Sequence, residues 1–282
     1  MGLFLLNSYP MSSKFFDAEY FDEKGSSNTE EWVVEEGALQ ILVNGKPFTV
    51  TMRTPGADNH LVPGILFSEG LVETSADIVS LSEEASRNGM TVWSATLKDK
   101  SQTDKKIVTR SLASTSSCGM CGKTDWDAPP DAVGVCAAAT FPRDLLPSCF
   151  KAMSARQDLF GRTGGSHAAA IFSAQGELLA FGEDVGRHNA VDKAVGDLWL
   201  RNGLSDGVML CVSGRVSYEI AAKARRAGLS ILAAVSAPSS LAVEFCRESD
   251  ITLLGFCRGE RATAYSHSER LIESMAAQEI SV

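Results

Sequence analysis

Val208-Met209-Leu210-Cys211-Val212-Ser213-Gly214-Arg215 passes from a continuous apolar run into a small polar turn. An unbroken apolar strand is one covered on both faces, and such strands belong to parallel sheets with helices above and below. The sequence that follows repeats the alternation. A helical pattern near Tyr218 to Ala227 leads to a strand at Leu229 to Val235. The turn Ser236-Ala237-Pro238-Ser239-Ser240, with Pro238 suited to a first helical turn, then opens a helix to about Cys246, and a further strand follows at Ile251 to Phe256. Strands joined by helical crossovers pair in parallel, so this part of the chain reads as an α/β layer.

Upstream, a helix is expected from about Arg143 to Phe160, with Leu146, Cys149, Phe150, Met153 and Phe160 on one face; Cys149 reads as packing. A hairpin of Ala168 to Phe172 with Leu178 to Phe181 comes next, then a helix through Ala190, Val191, Ala194, Val195 and Leu198. The first part of the chain is β-rich. Residues up to about Asn28 look loosely ordered. Strands follow at Trp32 to Val34, Ala38 to Val43 and Phe48 to Met52, and Asn44-Gly45 between the last two signals a type I′ hairpin. Arg53-Thr54-Pro55-Gly56 makes a turn, Asp58 is an expected N-cap, and one helix carries Leu61, Ile65 and Leu66 towards Glu69-Gly70. Further strands are expected at Asp77 to Leu81, Met90 to Leu97 and Lys106 to Arg110. The fold class is α/β and α+β. A β-rich N-terminal domain occupies 1–140 and an α/β domain 141–282, with a thiol loop at about 114–130.

With 282 residues the chain has ample material for a core. Its net charge of −9 argues against broad nucleic-acid binding, while leaving room for a local basic pocket. Seven cysteines in this length do not suggest a disulfide framework, so a reducing cytoplasm is expected. No run approaches membrane-spanning length, and Met1 to Leu6 lacks the basic flank of a signal peptide.

The thiol loop is Ser117-Cys118-Gly119-Met120-Cys121-Gly122-Lys123. A structural zinc site normally takes four ligands, and no second C-x₂-C pair accompanies this one. A thioredoxin-like dithiol sits at a helix N-terminus after a strand, and no helix is evident here. A sulfur-carrying cysteine is the third reading, and an incidental exposed pair the bland one. A second constellation lies at the strand ends. Ser213, Gly214 and Arg215, then Ser236 to Ser240, then Arg258 and Arg261, all follow apolar strands, where backbone N–H groups and arginines can meet an anion. Taken singly these are ordinary turns; three in succession favour a phosphorylated ligand. His167 and His188 stand beside glycines at element ends. Glu183-Asp184 with Arg187-His188 concentrates charge where a core would not accept it, which suggests a site lining.

Several stretches together resemble the formate dehydrogenase accessory sulfurtransferase family (FdhD/NarQ). They are Arg53-Thr54-Pro55-Gly56 with Phe67-Ser68-Glu69-Gly70, Ser117 to Gly122, Thr163-Gly164-Gly165-Ser166-His167-Ala168-Ala169, Glu183 to Lys193, Ser213-Gly214-Arg215 and Gly255-Phe256-Cys257-Arg258-Gly259-Glu260-Arg261. The resemblance implies a carrier that takes sulfur from a cysteine desulfurase and passes it to the molybdenum cofactor in its bis(molybdopterin guanine dinucleotide) form, for formate dehydrogenase. By the same resemblance Cys118 holds the persulfide and Cys121 assists. The resemblance further implies that Phe256, Cys257, Arg258, Gly259, Glu260 and Arg261 bind the cofactor and that the C-terminal domain looks like a cytidine deaminase fold of three layers, and a homodimer is expected. The deaminase zinc pattern itself is absent: neither His167 nor His188 has a glutamate two residues on. Two rivals are a cofactor-binding chaperone with incidental thiols and a small zinc enzyme.

Overall fold

A computed structural model describes residues 12–99 and 139–273. The thiol loop with Cys118, Cys121 and Lys123, and the strand expected at Lys106 to Arg110, lie outside the described residues. The chain begins with a hairpin, β1 (Ser13–Asp22) and β2 (Gly25–Val34), then β3 (Gly37–Val43), β4 (Lys46–Arg53), helix α1 (Asp58–Ser68), β5 (Ile78–Arg87) and β6 (Met90–Leu97). After residue 139 come β7 (Phe141–Pro142), α2 (Leu146–Ser154), α3 (Asp158–Thr163), β8 (His167–Phe172), β9 (Leu178–Asp184), α4 (Arg187–Leu200) and β10 (Met209–Val212). The chain continues through α5 (Tyr218–Arg226), β11 (Ile231–Ala234), α6 (Ser240–Glu248), β12 (Thr252–Arg258), β13 (Arg261–Ser266) and β14 (Leu271–Ile272).

The central sheet has six strands in the order β13-β12-β11-β10-β8-β9, with β10, β11 and β12 parallel as expected. Its alternate residues feed two cores. Ile171, Leu210, Leu232 and Leu253 face α4, α5 and α6, whereas Phe172, Met209, Cys211 and Ile231 face α2 through Leu146, Cys149 and Met153. Period-two alternation divides each strand between two layers of helices. The N-terminal strands form a separate sheet, β4-β3-β6-β5, whose hairpin turn Asn44-Gly45 has φ of 51° and 78°, the positive values a type I′ turn requires. Leu39, Ile41 and Val43 of that sheet join the same core cluster as α1 and α4.

Helices α1 and α4 meet through glycines. A Cβ at Gly64 would fall 1.9 Å from the Asp192 carbonyl oxygen, and one at Gly196 would fall 2.0 Å from that of His60. No side chain fits there. Helix α1 ends as expected: Gly70 takes φ 69°, and the N–H of Leu71 donates to Leu66 O at 2.9 Å, closing a Schellman turn.

Four expectations are corrected. Residues before Asn28 are not loose; Ser13 to Asp22 pairs residue by residue with Val34 to Gly25. Asp58 is not the N-cap of α1. That position is Ala57, and the Asp58 carboxylate turns instead to Arg53, accepting from Nε at 2.9 Å and Nη2 at 2.7 Å. The helix expected from Arg143 to Phe160 is broken after Ser154. Its continuation restarts as α3 because the buried Glu183 carboxylate accepts from the N–H groups of Leu159 and Phe160, at 3.3 and 2.8 Å. Pro238 lies outside α6, whose N-cap is Ser239 accepting from the N–H of Ala242 at 3.2 Å.

Candidate functional site at one edge of the central sheet

Because β10, β11 and β12 run parallel, their carboxyl ends share one edge of the sheet. The antiparallel partners bring the start of β8 and the end of β9 to the same edge, with His167 opposite Asp184. Ser213 to Arg215, Val235 to Ser239, Phe256 to Arg261, His167, and Asp184 to His188 are therefore neighbours along one rim. Backbone bonds lock the loops together: Val216 N–H to Ala237 O at 3.1 Å, Ser239 N–H to Val216 O at 2.9 Å, and Phe256 N–H to Ser236 O at 3.2 Å.

The segment Phe256 to Arg261 is not a loop after a strand but the tip of the β12–β13 hairpin, with Arg258 opposite Arg261. Phe256 sits in a bulge at φ 53° and is 44% exposed, between the buried Gly255 and Cys257. A left-handed phenylalanine is a strained one, and bulges re-aim side chains. Arg258, Gly259, Glu260 and Arg261 are exposed, with Gly259 at φ 55° supplying the turn. Cys257 differs from its neighbours. Its thiol is buried in the α2-side core and pushed up to about 11 by that burial, so this residue faces the protein rather than the rim.

The strand-end loop at Ser213 is partly committed. Its N–H donates to Ala168 O at 3.0 Å and its hydroxyl accepts from the Ala168 N–H at 2.9 Å, so both groups extend the β10–β8 pairing instead of facing an anion. Helix α5 begins at Tyr218, as expected, so Ser213 to Arg215 stand a few residues before it. Arg215 is exposed, and a Cβ on Gly214 would stand 3.3 Å from His167 Nδ1 and 3.5 Å from Arg187 Cβ. Gly214 thus lets both side chains lie against the backbone.

Glu183 and Asp184 overturn the expectation that a core would refuse them. Asp184 and Lys193 are both 0% exposed, with Nζ 2.8 Å from Oδ2. The same carboxylate accepts from the N–H of Thr54 at 3.1 Å, of Gly186 at 2.8 Å, and from Asn189 Nδ2 at 3.1 Å. A buried charge is tolerated when it is paired and fully hydrogen-bonded, and this one is. Asp192 repeats the pattern: Lys223 Nζ approaches its two oxygens at 2.6 and 2.8 Å and Ser68 Oγ donates at 2.7 Å. Thr54 and Ser68 come from the N-terminal portion, so Arg53-Thr54-Pro55-Gly56, Phe67-Ser68 and Glu183 to Lys193 form a polar seam joining it to α4.

Arg187 and His188, one turn away, are different. His188 is 5% exposed, its ring nitrogens have no hydrogen-bond partner, and neither do Arg187 Nε nor Ser217 Oγ. Burial first, then the charges of Lys223, Arg187 and His167, push the His188 imidazole down to about 3, so it is neutral at physiological pH. Glu219 Oε2 lies 3.3 Å from His188 Nε2. Burial and Arg187 likewise lower His167. Sequence reasoning passed over Ser217 and Glu219; a serine at the N-cap of α5 was the one available signal.

All four cysteines among the described residues are free and buried. Burial pushes Cys149 to about 11, Cys246 to about 12, and Cys211 well upward. No group of three or more metal-ligating side chains occurs among the described residues, and no helix there is long and apolar enough to cross a membrane.

Comparisons with known proteins agree with this architecture. A family model described as the FdhD/NarQ family matches residues 34–272. Proteins named sulfur carrier protein FdhD match most of the chain. That of Mycobacterium tuberculosis is 41% identical, covering 86% of this chain and 92% of the relative. That of Streptomyces coelicolor is 42% identical (87% and 90%), and that of the archaeon Sulfurisphaera tokodaii 37% (86% and 92%). A crystal structure described as a formate dehydrogenase accessory protein from Desulfotalea psychrophila superposes with a TM-score of 0.73 at 21% identity, covering 93% of this chain and all of that one, and so shares the fold. With the family model spanning both sheets and the polar seam between them, the chain belongs to the FdhD/NarQ family.

Proposed function

We propose that this protein carries sulfur as a persulfide on Cys118 from a cysteine desulfurase to the molybdenum cofactor in its bis(molybdopterin guanine dinucleotide) form, for use by formate dehydrogenase. The observation that carries the reading is the state of the other thiols. Cys149, Cys211, Cys246 and Cys257 are all buried with their thiols pushed up, so none of them supplies a nucleophilic thiolate. Sulfur chemistry then falls to Cys118 and Cys121. Relatives named sulfur carrier proteins support a sulfur-carrying role.

The Cys118 thiolate attacks the outer sulfur of the donor's persulfide. A new S–S bond forms on Cys118 as the donor's S–S bond breaks, and the donor leaves as a thiolate. For delivery, the Cys121 thiolate attacks Cys118 Sγ. The Cys118–Cys121 disulfide forms, and the outer sulfur departs as hydrosulfide, having taken the two electrons. With one proton from solvent, the hydrosulfide would replace an oxo ligand of the substrate's molybdenum, the oxygen leaving as water. A cellular thiol reductant restores the pair. Phe256, Cys257, Arg258, Gly259, Glu260 and Arg261, with Ser213, Gly214 and Arg215, make up the substrate site: Arg258 and Arg261 meet its phosphates, while Ser213, paired with Ala168, holds the Gly214–Arg215 turn in place. A division at 1–140 and 141–282, a deaminase-like ancestry for the second part, a cytoplasmic setting and a homodimer belong to the same reading; helices on both faces of the six-stranded sheet support the ancestry.

Intact-protein mass spectrometry after incubation with a desulfurase and cysteine should show a gain of about 32 Da, lost on adding thiol reductant. Cys118→Ala should abolish the gain and Cys121→Ala should leave it stalled. Uptake by Cys118→Ala but not by Cys121→Ala reverses the two roles. Full formate dehydrogenase maturation by a double serine variant would favour a cofactor chaperone instead.

A further inference from the structure

The opening ribbon of β1 and β2 is the least covered part of the fold. Six of the eleven large apolar side chains exposed among the described residues lie on it: Phe15, Phe16, Tyr20, Phe21, Trp32 and Val33. Its base is fixed. The N–H of Glu35 donates to Ser12 O at 2.7 Å, Ser12 Oγ donates to Pro55 O at 2.6 Å, and the Arg162 guanidinium of α3 lies 5.3 Å from the Trp32 ring centre. Beyond the base, Lys14 to Asn28 are exposed without interruption. A two-stranded ribbon alone is marginal in water, and apolar surface gathered in one place marks an interaction site.

The outer edge of β1 is open: its sheet has no third strand among the described residues. Folded proteins guard such edges with proline, bulges or lysines. β1 has no proline, a single lysine, and ten residues paired to β2 without a register shift. The order of its side chains says what pairs with it. Counting outward from Ala18, Asp17 answers Glu19, Phe16 answers Tyr20, Phe15 answers Phe21, and Lys14 answers Asp22. Aromatic meets aromatic at two steps, and opposite charges meet at the ends. In an antiparallel pair about a two-fold axis through Ala18, each of these residues stands opposite its counterpart on the same face of the sheet. The strand is therefore complementary to itself run backwards. Lys14 reaches Glu35 at 3.1 Å and Asp22 accepts from the N–H of Lys24 at 2.7 Å, and an ammonium and a carboxylate so engaged each keep capacity for a further bond. The acidic step is the cost, since directly opposed like charges destabilise; Asp17 already stands opposite Glu30 within the ribbon.

We propose that β1 pairs antiparallel with β1 of a second copy about Ala18, joining the two ribbons into one four-stranded sheet in the order β2-β1-β1-β2. The pairs Phe15 with Phe21 and Phe16 with Tyr20, each made twice by the symmetry, supply the burial, and Lys14 with Asp22 holds the ends. Register follows from the same pattern. A slip of two residues one way sets Phe15 against Glu19, and the other way sets Phe16 against Asp22; a slip of one exchanges the faces. The inference does not rest on the sulfur relay. It gives the homodimer included in the reading above a surface and a register.

Sedimentation equilibrium of the full chain tests the pairing, and cross-linking tests the register. The wild-type chain should sediment as a dimer. Phe16→Glu, at an exposed position, removes an aromatic pair twice and should weaken association at least about tenfold. Asp17→Asn removes the repulsion from Glu19 of the second copy and should tighten it severalfold, an effect that no folding defect produces. For register, Ala18→Cys in a full chain with Cys118, Cys121 and Cys136 replaced by serine should give a covalent dimer with a short bis-maleimide. Thr29→Cys in the same background should not, because Thr29 stands opposite Ala18 on β2 and the two copies of it lie three strand spacings, about 14 Å, apart. A monomeric wild-type chain overturns the proposal. So does a dimer that is indifferent to both substitutions and gives no Ala18→Cys cross-link, which places the homodimer on another face. Persulfide loading is read separately. A chain that takes up no sulfur yet cross-links through position 18 loses the relay and keeps this interface; a monomer that loads normally does the reverse.

Discussion

The polar seam and the cluster at the start of α5 are built from the same residue types and lie within a few residues of each other, yet only one is complete. In the seam, Asp184 meets Lys193, Thr54, Gly186 and Asn189, and Asp192 meets Lys223 and Ser68. In the cluster, Arg187, His188 and Ser217 keep unused hydrogen-bonding atoms. A satisfied buried network fixes one arrangement of the backbone, and an unsatisfied one is a standing cost that a bound molecule relieves. The difference teaches where to look for stability and where for recognition.

Breaking the seam should have the largest effect. Lys193→Met leaves the Asp184 carboxylate buried without its cation and should cost about 3–5 kcal/mol in a denaturant titration. A loss under about 1 kcal/mol would mean that the backbone N–H groups of Thr54 and Gly186 suffice on their own.

A smaller effect is expected from acid. The His188 imidazole is held down to about 3 in the fold and returns to the ordinary histidine value of about 6.5 on unfolding. Above pH 6.5 both states leave it neutral and it contributes no pH dependence. As pH falls below 6.5 the unfolded chain takes up a proton that the fold refuses, so stability declines until about pH 3, by about 2 kcal/mol at pH 5. The groups that face the ring are Lys223, Arg187 and His167, all opposing its charge, and the Glu219 carboxylate, which favours it. His188→Gln should flatten the slope between pH 6.5 and 5; an unchanged slope would place the titration elsewhere.

The smallest and sharpest comparison is between two N-cap serines. Ser239→Ala removes a cap bond and should cost about 1 kcal/mol, whereas Ser217→Ala removes none and should stay within about 0.5 kcal/mol of the wild type in thermal unfolding. Equal losses would show that the Ser217 hydroxyl makes a bond to its helix in solution after all.

Much of both main sheets and of α1 was legible in the chain because their signals are local. Val208 to Val212 is apolar throughout, Asn44-Gly45 requires positive φ, and Glu69-Gly70 stops a helix. The opening hairpin was not legible. Phe15, Phe16, Tyr20 and Phe21 are exposed on both of its faces, so no apolar period marks it. The break before α3 was hidden too, because the carboxylate that restarts the helix comes from Glu183 in β9.

By itself the sequence determined the alternation of apolar strands and helices, the placement of polar turns after β10, β11 and β12, and the presence of a thiol pair with glycines beside it. Those are properties of neighbouring residues. The tertiary structure alone decided which charged residues are scaffold and which are free. Asp184 is buried and saturated, Ser213 is used up by β8, and Ser217 Oγ and the His188 ring nitrogens make no hydrogen bond. Hydrogen-bond partners such as Thr54 and Lys193 are 139 positions apart, and a pairing over that distance leaves no trace in local sequence.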